Sequence, residues 1–394
     1  MDGRDRRLLL ITTSYPSAHN PVSGLFVARL ALALRDSAPI VVVAPGNPAT
    51  GTPEPWPAAE RASYAPASIQ EKAHGPGGIP AAIRANPLLL WLMPALLLRM
   101  AQVAWRHSAA CSAIVSNWSV CGLIGGALGR WRGIPSLVVL RGEDANRAHD
   151  SWLFRTLLRA SVALNHATVT VSEDIAQNLR RMLPARAQHI HFIPNGVSDH
   201  FRAADRSPDG ATVRLLFVGS LIPRKSAITL IDALALLPAR FRLTVVGEGR
   251  ERPAVLARIE ALGLGGRVEL LPFQLPDTLP AQFARADALV LPSLEEGRAN
   301  VILEAFAAGL PVFASDIPGN RELIGADERG TLFATGDAAN LASKLIRISE
   351  EEIRQARPRR ARAFLNEQGL DWQQCAARYL ALITTLDEVT PSHG

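Results

Sequence analysis

Short aliphatic runs recur along the chain, each ended by glycine, proline or a polar loop and followed by a segment with helical spacing. Arg7 to Thr13 reads as a first strand. The loop SYPSAHNPVSG leads to a helix from about Leu25 to Arg35, where Phe26, Leu30, Leu32 and Leu34 give a mostly apolar surface, and Ile40 to Val43 is the next strand. Strands are predicted over Ser112–Ser116, Pro135–Leu140 and Ala167–Val171, with a small-residue helix from Val120 to Trp131 and another helix capped by Ser172. The pattern restarts at Val213–Val218, with a helix carrying Ile228, Leu230, Ile231, Leu234 and Leu237. It continues through strands at Phe241–Val246, Val268–Leu271 and Ala288–Pro292. Strand and helix alternating in this way predict parallel α/β domains.

DHFRAADRSPDGA, between the halves, has the composition of a linker. The expected organisation is a first domain over 1–199, a linker over 200–211, a second domain over 212–370, and an amphipathic segment over 371–394 that carries Trp372, Tyr379, Leu380 and Leu382. Pro45 to Pro87 is rich in proline, glycine and alanine without a sustained period and predicts a long, partly mobile segment. In NPLLLWLMPALLLRMAQVAW, Pro94 and Arg99 interrupt an apolar run short of the about 20 residues a spanning helix needs. Two readings stay open there: a buried core helix, or a monotopic patch with Trp91, Trp105 and Arg99 as interfacial anchors on an anionic membrane.

A chain of 394 residues is long enough for two cores. Its net charge of +6 comes from arginines scattered among acids, with short clusters only at DGRDRR and RPRRAR, so no nucleic-acid partner is expected. Cys111, Cys121 and Cys375 are odd in number and lack ligand spacing, which predicts free thiols in a reducing cytoplasm. LLLITTSY is too short for a signal peptide and lacks a cleavage motif. Neither D-x-D nor a histidine cluster is found, so neither a metal nor another cofactor is expected.

The densest chemistry lies in VLPSLEEGRANVILEAFAAGLPVFASDIPGNRE, Val290 to Glu322. It reads as strand, loop, helix and strand, with Asn300 as N-cap and Gly309 and Pro311 as the stop. The start of such a helix presents backbone N–H groups and the positive end of the dipole, an anion site. Glu304, one turn inside, can reach back toward a vicinal diol, and Glu296 sits on the loop across the same opening. Taken singly, Glu304 could simply complement the dipole and Glu296 could be a solvated loop charge.

The full pattern PS-x-x-EG-x-x-NV-x-LEA-x-A-x-G-x-P-V resembles the signature of retaining nucleotide-sugar glycosyltransferases of family 4. TSYP…SGLFVARLALAL is similar to the opening of the teichuronic-acid and colanic-acid type of these enzymes. The resemblance implies the GT-B plan, two Rossmann-like domains across a cleft, with a nucleoside-diphosphate sugar on the second and a glycan or lipid-linked acceptor on the first. It implies that Glu304 binds the ribose, that Glu296 contacts the donor sugar, and that the amides around Ala299, Asn300 and Val301 meet the diphosphate. Gly24, Gly219, Gly247 and Glu248 would line the donor site, and Lys225 would grip the diphosphate. The family's arginine is Ser220 here and the glycine after the lysine is Ser226; adjacent Arg224 is a substitute for the missing charge. The family's HG-x-D or RG-x-D motif takes the arginine form, Arg141 to Asp144. Arg141 would bind a phosphate or carboxylate, or pair with Glu143 or Asp144, and Asp144 would hold acceptor or donor hydroxyls. The implied function is sugar transfer in cell-surface polysaccharide synthesis, in the cytoplasm or at the inner face of its membrane. An epimerase of the same plan and a non-catalytic nucleotide-sugar-binding subunit are the alternatives. A dinucleotide oxidoreductase fits less well, because no G-x-G-x-x-G follows the first strand.

Overall fold

The computed structural model describes residues 7–74, 78–141, 151–202, 212–275 and 278–389. Asp144 and most of the expected linker, 203–211, lie outside them.

Runs such as LLLI, AIVSN and SLVVL are apolar at nearly every position because both faces of their sheet are covered. Seven parallel strands form it: β1 (Leu8–Ile11), β2 (Ile40–Pro45), β3 (Ala59–Ala62), β4 (Ala113–Asn117), β5 (Ser136–Leu140), β6 (Ala167–Thr170) and β7 (Ile190–Phe192). Their order is β3-β2-β1-β4-β5-β6-β7, with Leu8 paired to Ile40 on one side and Ala113 on the other. Helices Leu25–Arg35 and Trp372–Val389 cover one face, where Tyr379 packs with Leu8, Val115, Val139 and Val169. Helices Met93–Ser108 and Ser119–Arg132 cover the other, over Leu9, Ile11 and Ile114.

A second sheet holds β8 (Val213–Val218), β9 (Phe241–Val246), β10 (Val268–Leu271), β11 (Ala288–Leu291), β12 (Val312–Ser315) and β13 (Thr331–Phe333), ordered β10-β9-β8-β11-β12-β13 and all parallel. Both sheets share the doubly wound order in which the direction of winding reverses between the first and fourth strands. Ligands of such sheets bind outside the carboxyl ends of the strands at that switch point.

The chain divides into one compact unit of Met1–Asn195 with Trp372–Gly394 and another of Gly196–Asp371. The second begins a few residues before the expected start of the linker. Val197 and Phe201 are buried in its core, with the Phe201 ring edge-on to Phe283 at 5.0 Å, and Val197 N–H donates to Leu370 O at 2.9 Å.

Two stretches depart from expectation. Within Pro45–Pro87, the polar sequence AERA forms edge strand β3 against β2, and helix Ala67–Ala73 follows. The apolar run forms one helical stretch, Pro87–Ser108, of 22 residues, a 3-10 segment leading into the α-helix. Pro94 falls in the first turn of that α-helix, where its missing N–H costs nothing. By length and composition it could cross a membrane, yet Leu96, Met100 and Ala104 seal one face against the sheet.

Candidate functional site

In the second unit, the loops after β8 and β11 leave the sheet at the switch point and meet. After β8, Gly219 to Ser226 turns through a 3-10 segment, Pro223–Lys225, into helix Ala227–Ala235. After β11, Pro292 to Ala299 leads into helix Asn300–Ala308. Leu294 N–H donates to Arg224 O at 2.7 Å and locks the two loops. Across this seam the Lys225 ammonium donates to Glu296 Oε1, and Ser293 Oγ donates to the same oxygen at 2.7 Å. Only 15% of the Lys225 side chain and 7% of the Glu296 side chain are exposed. Lys225 and Glu296 therefore form one largely buried, charge-assisted unit.

The helix Asn300–Ala308 begins one residue earlier than expected, since Asn300 is already helical and Ala299, in extended conformation, takes the cap position. Ala299 has no side-chain acceptor for the first-turn N–H groups, which leaves them to a neighbour or a ligand. Val301 leans on the core, while Glu304 is half-buried one turn further in. The loop before the helix is braced from behind. A Cβ on Gly319, in helix Pro318–Ile324, would lie 2.4 Å from Glu296 O, so the Glu296 backbone rests directly on that helix. Arg298, with 3% of its side chain exposed, forms an ion pair with Glu322. Burial lowers the Arg298 pKa and the carboxylate opposes that shift. Ser315 Oγ donates to Ser293 O, and Asn320 Nδ2 donates to Ser315 O at 2.9 Å.

The other predicted positions in this unit frame the same loops. Gly247 follows β9 at φ +152°, and a Cβ there would stand 2.0 Å from Gly219 O. Backbone on backbone, Gly219 and Gly247 tie the ends of β8 and β9, helped by Gly219 N–H to Val246 O at 3.0 Å. Glu248 contributes its carbonyl to Leu221 N–H at 2.9 Å, while its exposed carboxylate lies 3.8 Å from Arg252. Arg224 is exposed, and the Ser220 position beside it is also exposed. Ser226 adopts φ +48°, ψ +44°, with its hydroxyl 2.8 Å from Thr229 Oγ1, so the loop keeps the left-handed turn that a glycine would make there.

Gly24 and Arg141 belong to the first unit. Gly24 caps helix Leu25–Arg35 at φ +63°, where a Cβ would lie 2.1 Å from Ser14 O; that close approach demands glycine. Arg141, 6% exposed at the end of β5, donates to Asn195 Oδ1 at 3.0 Å and Asn117 Oδ1 at 3.1 Å, with its guanidinium 4.0 Å from the Phe26 ring centre. Two nitrogens of its fork are thus bound to asparagine side-chain oxygens, while Glu143 and Asp144, the expected ion-pair partners, lie outside the described residues. Trp118, next to Asn117, is held at φ +78°, and its ring meets Phe26 edge-on at 5.9 Å. Asn117, Trp118 and Asn195, and in the second unit Ser293, Arg298 and Glu322, were not singled out from the sequence. Ser293, Arg298 and Glu322 lie within the stretch Val290–Glu322, but no role was read for them there. Among the described residues no three of His, Cys, Asp and Glu converge as a metal site.

Residues 23–201 match the family model described as Glycosyltransferase Family 4, and residues 201–363 match Glycosyl transferases group 1. A 203-residue segment is 36% identical to an exopolysaccharide phosphotransferase of Streptomyces coelicolor, covering 50% of this chain and 21% of that one. Over 252 residues the chain is 26% identical to alpha-D-kanosaminyltransferase of Streptomyces kanamyceticus, covering 58% and 65%. Over 240 residues it is 31% identical to D-inositol 3-phosphate glycosyltransferase of Xylanimonas cellulosilytica, covering 56% and 57%. The chain thus spans less than two thirds of the length of each of these relatives. The structure of sucrose-phosphate synthase from Thermosynechococcus elongatus aligns with a TM-score of 0.77 at 20% identity, over 98% of this chain and 100% of that one. Anabaena HepE in complex with UDP and glucose aligns with a TM-score of 0.73 at 20% identity, over 96% and 100%.

Proposed function

We propose, from the premise that the chain belongs to the GT-B glycosyltransferases, that it moves a sugar from a nucleoside-diphosphate donor to a glycan or lipid-linked acceptor, with retention at the anomeric carbon, in cell-surface polysaccharide synthesis. The observation that carries this reading is the buried Lys225–Glu296 pair at the switch point, beside the start of helix Asn300–Ala308. A donor diphosphate at that helix start competes for Lys225 and releases Glu296 to accept hydrogen bonds from the sugar hydroxyls, while Glu304 takes the ribose diol. In the transfer step the bond between the anomeric carbon and the phosphate oxygen breaks, and its electron pair leaves with the diphosphate. Lys225 and the amides of Asn300 and Val301 stabilise that charge. The acceptor oxygen bonds to the anomeric carbon on the same face, and its proton passes to the departing phosphate oxygen. No metal is assigned a part, since the charge is met by these groups. Arg224, exposed beside Lys225, supplies added charge to the diphosphate, and Asp144 holds acceptor hydroxyls.

The exopolysaccharide name of one relative and the UDP and glucose of the HepE complex favour polysaccharide and nucleotide-sugar chemistry over other GT-B substrates. Ser226 keeps the turn of the phosphate loop, which removes one reason for the non-catalytic alternative. Calorimetric titration of the full chain with UDP and GDP tests the reading, followed by NMR of the product's anomeric configuration. Binding of one diphosphate and a product of retained configuration are expected. No nucleotide binding would overturn the reading, and a donor epimerised without acceptor would replace it with the epimerase.

A further inference from the structure

The helical stretch Pro87–Ser108 is apolar over much of its circumference, with Arg99, Gln102 and Arg106 exposed on one flank, and only one of its apolar sides is covered. Leu96, Met100 and Ala104 face the sheet. Trp91, Leu98 and Trp105, spaced by sevens, lie along the opposite side, with Trp91 83% exposed and Leu88 beside it 71% exposed. An apolar stripe on a helix is ordinarily buried against a neighbour, and here the core takes only one of two apolar stripes. Trp131, 73% exposed at the end of helix Ser119–Arg132, extends the patch, its ring centre 5.7 Å from that of Trp105. Isolated exposed hydrophobics are ordinary, whereas a contiguous strip of this kind marks an interaction surface.

The charges around the strip select the partner. From Lys72 to Gly142 the sequence contains no aspartate or glutamate. Arg99 and Arg106, both exposed, flank the tryptophans on the helix itself, and the Arg132 guanidinium sits 4.4 Å over the Trp105 ring. Glu60 approaches the helix at His107, with 3.9 Å between carboxylate and ring nitrogen. Tryptophan rings with arginines beside them and no acid between suit the headgroup layer of an anionic bilayer, where the rings sit at the boundary and the guanidinium groups reach phosphates. We propose that this face, the Pro87–Ser108 helix with Trp131, docks the protein on an anionic lipid surface by lying in its interface rather than by crossing it. Crossing is ruled out while Leu96, Met100 and Ala104 stay buried, because it would strip one face of the first unit's core. The inference is independent of the sugar transfer proposed above.

Co-sedimentation of the full chain with phosphatidylglycerol-containing vesicles, and with phosphatidylcholine vesicles alone, tests it. Binding to the anionic vesicles, weakened by salt and accompanied by a blue shift of tryptophan emission, is expected. The double variant Leu88→Ser/Trp91→Ser should lose it while keeping its far-UV spectrum, melting temperature and nucleotide binding, because both side chains are mostly in solvent. Arg99→Gln/Arg106→Gln should weaken anionic binding by roughly tenfold or more. Glu304→Gln should bind vesicles like the wild type, so that a failure of donor binding leaves this result standing. Absence of wild-type binding to either vesicle, equal binding by the Leu88/Trp91 variant, or a dimer in solution that this variant disperses would each overturn the proposal, the last by assigning the face to a second copy of the chain.

Discussion

Replacing Lys225 with methionine removes one member of a buried pair and leaves Glu296 with the Ser293 hydroxyl alone. At an effective dielectric of about 20, opposite unit charges in contact attract by about 5 kcal/mol, which the desolvation of two ions largely offsets. The pair therefore adds little over an apolar pair of similar volume, yet breaking it strands a carboxylate that is 7% exposed, at a cost of about 3 kcal/mol. Glu296→Gln keeps an acceptor for Lys225 and should cost less, about 1–2 kcal/mol. The double variant Lys225→Met/Glu296→Leu should regain most of the loss, giving a coupling energy of about 2 kcal/mol or more in a double-mutant cycle. Urea unfolding followed by far-UV circular dichroism is the assay. All seven tryptophans lie outside 196–371, so tryptophan emission follows the first unit and a shift in the circular dichroism transition alone assigns the loss to the second. If both single variants cost under about 0.5 kcal/mol, the two charges are solvated and the reasoning from burial fails.

Glu304→Gln should raise the donor KM with little change in kcat, and Glu296→Gln should lower kcat; unchanged steady-state kinetics in both would remove the two glutamates from the site. Gly247→Ala, which puts a methyl 2.0 Å from Gly219 O at φ +152°, should destabilise the second unit by about 2 kcal/mol or more and weaken nucleotide binding, read by thermal shift with and without UDP or GDP. Burial first and Arg61 second depress the His74 pKa to about 4, while Tyr64 Oη lies 3.1 Å from its Nε2. The unfolded chain then binds the extra proton between about 6.5 and about 4, so this contribution is complete above that window and falls away as pH drops through it. It amounts to about 3 kcal/mol at most, and His74→Gln should flatten the acid limb of a stability–pH profile between these limits.

Much of the fold was legible because buried parallel strands are nearly continuous aliphatic runs. Leu25–Arg35, Val213–Val218, Phe241–Val246 and Val268–Leu271 have the bounds their patterns predict. Edge strand β3 was not legible: AERA has no apolar run, and its conformation comes from pairing with β2 and from Arg61 bonding to Pro16 O and Thr52. The helix from Pro87 was misjudged because a proline reads as a break until its place in the first turn is known. At the candidate site, family pattern marked Glu296, Glu304 and Lys225, but not that Lys225 and Glu296 touch. That contact joins residues 71 positions apart through the strand order, which no local pattern encodes. The ion pair of Arg298 with Glu322 and the asparagines around Arg141 were hidden for the same reason.

The second unit is an uninterrupted insertion in the first, its two ends stitched by Val197 N–H to Leu370 O and by the bridge between Val197 and Asp371. During translation, everything it needs has left the ribosome before Trp372 appears. The first sheet, by contrast, waits for Cys375, Ala376 and Tyr379 to close over Leu8, Val115 and Val169. Synthesis from the amino end thus completes the later-encoded unit first, and the earlier one carries an open apolar face until residues 372–389 emerge.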